Sequence, residues 1–162
     1  HFLLLGKEPG WFLQGRVLPI KGSYVLVIEL DEGRTITVGS LKAIYFPAGY
    51  YAYVGSAMSG LESRLSRHLR ENKKLHWHID YLLQRASISS IIQCENQKVE
   101  CAIAQVLCCQ LDFIPGFGCS DCKCPSHLFF STEERQMKSQ VMSTVKRMGI
   151  RPKLIVEPSV TA

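Results

Sequence analysis

The run "YYAYVGSAMSGLESRLSRHLR", residues 50–70, constrains the fold more than any other stretch of the chain. Tyr50–Val54 is rich in aromatic and β-branched residues and reads as a strand that stops at Gly55. A few residues later the apolar spacing changes. Leu61, Leu65 and Leu69 recur every four residues, which gives a helix one buried stripe. Ser59 and Glu62 sit three apart, the spacing of a capping box, so we expect the helix to open at Ser59. A strand that feeds a helix this quickly must pack that helix back on its own sheet, so the chain is α/β rather than all-α or all-β. The same helix carries Arg64, Arg67, His68 and Arg70, so its outer face is strongly basic.

Other elements follow by pattern. "YVLVIEL" (24–30) reads as a strand, Asp31-Glu32-Gly33 as a turn, and "RTITVGS" (34–40) as its partner strand. Residues 43–46 make a short strand ended by Pro47. A helix is expected over 76–85, a strand over 87–94, and a mostly buried helix over 99–111 before Pro115 and Gly116. A loop at 116–127 leads to the short strand "LFF". Ser131 with Glu134 repeats the capping-box spacing, and Met137, Val141, Val145 and Met148 give the last helix its stripe. With 162 residues, 46% hydrophobic and 20% charged, the chain can bury a core and is not a disordered segment. We expect a small central mixed or antiparallel sheet flanked by helices. Residues 1–20 would be an N-terminal extension, 21–130 the main domain, and 131–162 a C-terminal helix and tail packed on it.

The formal charge is +5, which favours an acidic partner such as nucleic acid. No apolar run approaches a membrane span, so no membrane partner is expected. There are seven cysteines, an odd count, which fits reduced thiols in a cytoplasmic protein better than a disulfide scaffold. Cys119, Cys122, Cys124 and His127 form a candidate zinc set. Only one C-x-x-C half is present, however, and a second would have to come from His76 or His78. We therefore rank buried thiols above zinc. Cys122 or Cys124 paired with His127 as a nucleophile would need a lowered thiol pKa.

Gly22-Ser23-Tyr24 opens the first strand, Tyr53-Val54-Gly55 closes a later one, Arg64 and His68 share one helix, and Glu100 begins another. In that order these residues resemble the GIY-YIG nuclease fold, whose members include the excision-repair nuclease UvrC and homing endonucleases. The chain is more closely similar to a GIY-YIG-like group of archaeal and bacterial proteins, some fused to endonuclease III-type repair enzymes. "FPAGYYAYVGSA", "KKLHWHIDYLL" and "PGFGCSDCKCPSHLF" look characteristic of that group. The resemblance covers roughly residues 21–130. It implies that Tyr24 helps deprotonate water, that Tyr53 orients the nucleophile or the scissile phosphate, and that Arg64 binds the phosphate. It places His68 close to the nucleophile and makes Glu100 the ligand of one Mg²⁺ or Mn²⁺. The implied partner is nucleic acid, DNA above RNA, with a DNA-repair protein as a further partner. Two departures stand out. Ser23 replaces the family's Ile, and no Asn follows Glu100, where Asp112 or the Pro115–Gly118 turn occupies the region of the family's Asn. The long interval from Tyr24 to Tyr53 implies an inserted hairpin.

The residue types suit phosphodiester hydrolysis. A guanidinium gives phosphate planar, permanently charged donors, and Mg²⁺ can be held by a single carboxylate with water and phosphate. Residues four apart on a helix, as Arg64 and His68 are, share a face. Arg67, Arg70, Lys73 and Lys74 would border the path of a nucleic-acid backbone. Two other classes stay open on sequence: a non-cleaving nucleic-acid-binding module and a zinc-stabilised interaction domain.

Overall fold

The computed structural model describes residues 19–156. Its elements run β1 (Gly22–Leu30), β2 (Arg34–Thr37), β3 (Ala43–Phe46), β4 (Gly49–Ala57), α1 (Leu61–Leu69), α2 (His78–Leu83), β5 (Ser87–Glu95), α3 (Glu100–Leu107), β6 (Asp112–Phe113), β7 (Leu128–Ser131), α4 (Glu134–Arg147) and β8 (Lys153–Val156). Six strands form one sheet in the order β6-β7-β4-β1-β5-β8, and every neighbouring pair is antiparallel. The expected small sheet with flanking helices is therefore antiparallel rather than mixed. Residues 1–18 of the expected N-terminal extension lie outside the described residues, as do 157–162 of the tail.

β1 is the central strand because it is apolar on both faces. Tyr24, Leu26, Ile28 and Leu30 point to one core, which α1 and α2 close with Leu61, Leu65, Ile79 and Leu82. Val25 and Val27 point to the other, closed by α3 and α4 with Ile103, Leu107, Met137, Val141 and Val145. The α4 stripe read from the sequence is the face that packs, with Met148 at its edge.

Several local expectations are corrected. β2 does not pair with β1. It pairs with β3 as a separate hairpin, Arg34↔Phe46 to Thr37↔Ala43, while both edges of β1 are taken by β4 and β5. This hairpin occupies the interval between Tyr24 and Tyr53. Ser59 is not a cap. α1 starts after Gly60, and its first amide is taken by the Ile20 carbonyl at 2.8 Å. Ser131 remains in β7; its hydroxyl accepts the Glu133 amide and donates to the Gln136 side chain at 2.9 Å, so Glu134 is not its partner. The helices expected over 76–85 and 99–111 are shorter, His78–Leu83 and Glu100–Leu107. Among the described residues no helix is long and apolar enough to cross a membrane.

Candidate active site

β1 begins and β4 ends at one end of the sheet, and a cleft of about 330 Å³ opens there. Tyr24, Tyr53, Arg64 and Glu100 all line it. His68 lies beneath, with Nε2 2.7 Å from the Tyr24 hydroxyl. The five side chains singled out in the sequence thus converge from β1, β4, α1 and α3.

Antiparallel register makes the tyrosines meet. Tyr24 lies opposite Gly55 and Leu26 opposite Tyr53, so both phenols project on one face, with ring centroids 6.5 Å apart. Gly55 is required by this arrangement. A Cβ there would come within 2.5 Å of the Tyr24 hydroxyl. His68 follows Arg64 by one helical turn and is almost wholly buried.

Burial pushes the Tyr24 phenol up to about 12, although the neighbouring Arg64 guanidinium pulls the other way. Burial also raises Tyr53, with the Tyr24 phenol adding to it. Burial, and then the Lys73 ammonium, lower His68 to about 3, so the ring is neutral at physiological pH. Its Nδ1 is buried without a hydrogen-bond partner among the described residues, and Nε2 is the nitrogen joined to Tyr24.

Glu100 opens α3. Burial works against its charge, but the Lys98 ammonium at 2.8 Å, the amide at the helix start and Ser56 outweigh it and hold its pKa below the usual glutamate range. Oε2 meets Lys98, whereas Oε1 is buried with no hydrogen-bond partner among the described residues. Ser23 sets the approach to Glu100. Its buried hydroxyl donates to the Gln97 carbonyl at 2.8 Å and accepts the Val99 amide at 2.9 Å. Ser23 therefore braces the turn before the carboxylate, a role that a side chain without a hydroxyl could not fill.

Arg64 donates to the Ser56 carbonyl at 2.9 Å, and its guanidinium lies 4.4 Å from the centre of the Trp77 ring. Arg67 stacks on the same ring at 4.2 Å. Arg67 does not stand free to meet a nucleic-acid backbone. It forms a bidentate pair with buried Asp80, both contacts at 2.8 Å. Lys73 is likewise engaged, donating to the carbonyls of Arg67, His68 and Arg70 at the end of α1. Arg70 and Lys74 are exposed. Asp80 also accepts the amides of His76 and Trp77, at 2.8 and 2.9 Å, and so fixes the histidine–tryptophan turn beside the cleft. His78 Nδ1 accepts the Gly118 amide at 2.8 Å.

The loop from Phe117 to His127 makes the remaining wall, contributing Gly118, Ser120, Asp121 and His127. Gly118 has φ +72° and lies against Tyr53, where a Cβ would come within 2.9 Å of the ring. Asp112, which the resemblance made a candidate for this region, starts β6 and does not line the cleft.

Behind the loop, Cys101, Cys122, Cys124 and His127 bring their ligand atoms within 4.8 Å of one another, a Cys₃His cluster that could hold a metal ion. The set differs from the one expected. Cys119 is outside it, and Cys101 of α3 takes the place sought at His76 or His78. No spacing motif marks Cys101 in the sequence, because only folding brings α3 to the loop. Burial and hydrogen bonding with neighbouring thiols push Cys124 up to about 12, the reverse of what a nucleophilic thiolate needs.

The fold and cleft define an α/β domain in which two tyrosines, a guanidinium and a carboxylate line one cleft, with a buried histidine hydrogen-bonded to one of the tyrosines. The chain belongs to the family described as Domain of unknown function DUF123, whose model matches residues 23–150. No curated protein and no solved structure matches it.

Proposed function

We propose that this domain is a GIY-YIG-type phosphodiester hydrolase acting on nucleic acid, DNA above RNA, in a repair setting. The observation that carries the reading is the convergence of Tyr24, Tyr53, Arg64 and Glu100 on one cleft, with His68 hydrogen-bonded to Tyr24. Arg64 would take a phosphate oxygen; its stacking on Trp77 fixes the plane of the fork before substrate arrives. Tyr24 would take the proton of the attacking water on its oxygen while its own phenolic proton passes to His68 Nε2, 2.7 Å away. Tyr53 would align the water or phosphate across the cleft. The buried, unpartnered Oε1 of Glu100 suits a divalent cation, Mg²⁺ or Mn²⁺. Such an ion supplies Lewis-acid neutralisation of charge on the phosphate. Exposed Arg70 and Lys74, with a net charge of +5, favour an acidic polymer along the α1 side. A reducing cytoplasmic setting goes with seven unpaired cysteines.

The rival is a non-cleaving binding module. It is favoured by the resting protonation states, since neither Tyr24 nor His68 titrates near neutrality. The deciding experiment incubates branched, nicked and single-stranded DNA and RNA with the protein and Mg²⁺ or Mn²⁺. Metal-dependent cutting that is lost in Arg64→Ala and reduced in Tyr24→Phe, with Tyr24→Phe still binding, supports the hydrolase. Tight binding with no cutting across the panel supports the rival.

A further inference from the structure

We propose that Cys101, Cys122, Cys124 and His127 bind one Zn²⁺ as a closed, structural site that ties α3 to the loop walling the cleft. Tetrahedral zinc, with Zn–S of about 2.3 Å and Zn–N of about 2.0–2.1 Å, places its ligand atoms roughly 3.5–3.8 Å apart. Here Cys122 Sγ lies 3.5 Å and Cys101 Sγ 3.9 Å from His127 Nε2. The side chains are thus already spaced for the ion.

The histidine is prepared for a metal in a second way. Its Nδ1–H donates to the Val54 carbonyl at 3.0 Å, so the Nε2 lone pair faces the sulfurs. Zinc-binding histidines use this outer contact to fix both tautomer and ring orientation. The backbone is pinned as well: the His127 amide donates to the Phe117 carbonyl at 2.8 Å, and its carbonyl accepts the Val54 amide at 2.9 Å. A turn from the Cys122 amide to the Cys119 carbonyl brings Cys122 inward, while the Cys119 thiol faces the Pro125 carbonyl instead. Four protein ligands fill the coordination sphere and leave no open position, which is the pattern of a structural rather than a catalytic zinc. On binding, the three thiols release their protons to solvent.

The site's position gives it a purpose. Cys101 follows Glu100 directly, and Cys122 follows Asp121 of the cleft wall. One ion therefore locks the carboxylate's helix and the opposing loop in a fixed spacing. The zinc assignment stands on the cluster alone; its role in holding the cleft rests on the hydrolase reading.

The test uses the intact protein, purified under reducing conditions and loaded with Zn²⁺. Elemental analysis should find about one zinc per chain after removal of loose metal. Alkylation mapped by mass spectrometry should leave Cys101, Cys122 and Cys124 protected until a chelator is added, while Cys109 and Cys119 react at once. Cys101→Ser should weaken zinc binding by more than the ~100-fold that removal of an outer hydrogen bond can cost; Cys119→Ser should retain the full complement. If Cys101→Ser does not fold, the alkylation map of the wild-type chain decides the matter. Absence of zinc after loading, or protection of Cys119 with exposure of Cys101, overturns the assignment. A zinc-loaded protein that cuts nothing would leave the metal site standing and remove only the hydrolase reading.

Discussion

Asp80→Asn removes a charge from the interior with little change of volume. The Asp80 side chain is fully buried and takes four hydrogen bonds, two from Arg67 and two from the His76 and Trp77 amides. Breaking a buried pair by removing one partner costs about 3–5 kcal/mol. The Arg67 side chain keeps 20% of its exposure, so water can reach the orphaned guanidinium and the expected loss is about 3 kcal/mol. For a chain of this size that corresponds to a fall in Tm of about 6–12 °C. Calorimetry and urea melts of Asp80→Asn, Arg67→Gln and the double variant form a cycle, with a coupling of about 1–3 kcal/mol expected. The effect depends on pH with a definite sign. Burial raises the Asp80 pKa, but Arg67 and the two amides outweigh it and hold it below the usual aspartate value. The stabilisation is therefore complete above pH about 4 and is lost as pH falls through the lowered folded value. Asp80→Asn should lack that acid-dependent portion. A destabilisation under about 1 kcal/mol with no coupling would refute the brace. An Arg67→Gln variant that melts normally but binds nucleic acid poorly would return Arg67 to the phosphate path.

Three further outcomes are expected. Gly55→Ala drives a methyl against the Tyr24 phenol; it should break the bond to His68 at a cost of about 1–3 kcal/mol, read by urea melts and by the His68 ring signals in NMR, and an unchanged bond contradicts the packing. His68 is lowered to about 3 by burial, so its ring should show no NMR titration between pH 8 and 5, and the folded chain should lose stability as pH drops below the unfolded value of 6.5; a midpoint near 6.5 in the folded protein would contradict this. Arg70→Ala with Lys74→Ala should weaken nucleic-acid binding and make its salt dependence shallower, by about one unit of slope for each phosphate no longer neutralised; an unchanged slope moves the interface elsewhere.

How much is legible in the sequence depends on the range of the interaction. The strand-to-helix run and the α4 stripe are local periodicities, and both pack as read. The expected β1–β2 pairing fails because a turn at Asp31–Gly33 cannot reveal that β4 and β5 compete for both edges of β1. Ser59 has the spacing of a cap to Glu62, but the cap position falls on Gly60, one residue later, where the Ile20 carbonyl, from a segment distant in sequence, meets the first helical amide. At the cleft, the resemblance singles out Tyr24, Tyr53, Arg64, His68 and Glu100, and the fold brings these side chains together. Asp80 and Cys101 are not. Each acts through a partner that the fold alone supplies, Arg67 for one and the loop thiols for the other. Ser23 reads as inert because its hydrogen bonds reach a turn more than seventy residues away.

The most direct measurement is cleavage and binding by Glu100→Gln, read side by side on the same nucleic-acid substrate with Mg²⁺ or Mn²⁺. Gln keeps the shape of the side chain and removes the charge that would hold the cation. If the cleft hydrolyses phosphodiesters, the wild-type chain cuts only with metal, and the variant loses about 100-fold or more of that rate. Its binding should persist or tighten, since one negative charge beside the phosphate is gone. A variant that cuts as well as wild type, or a wild-type chain that binds tightly and never cuts with either metal, would contradict the assignment.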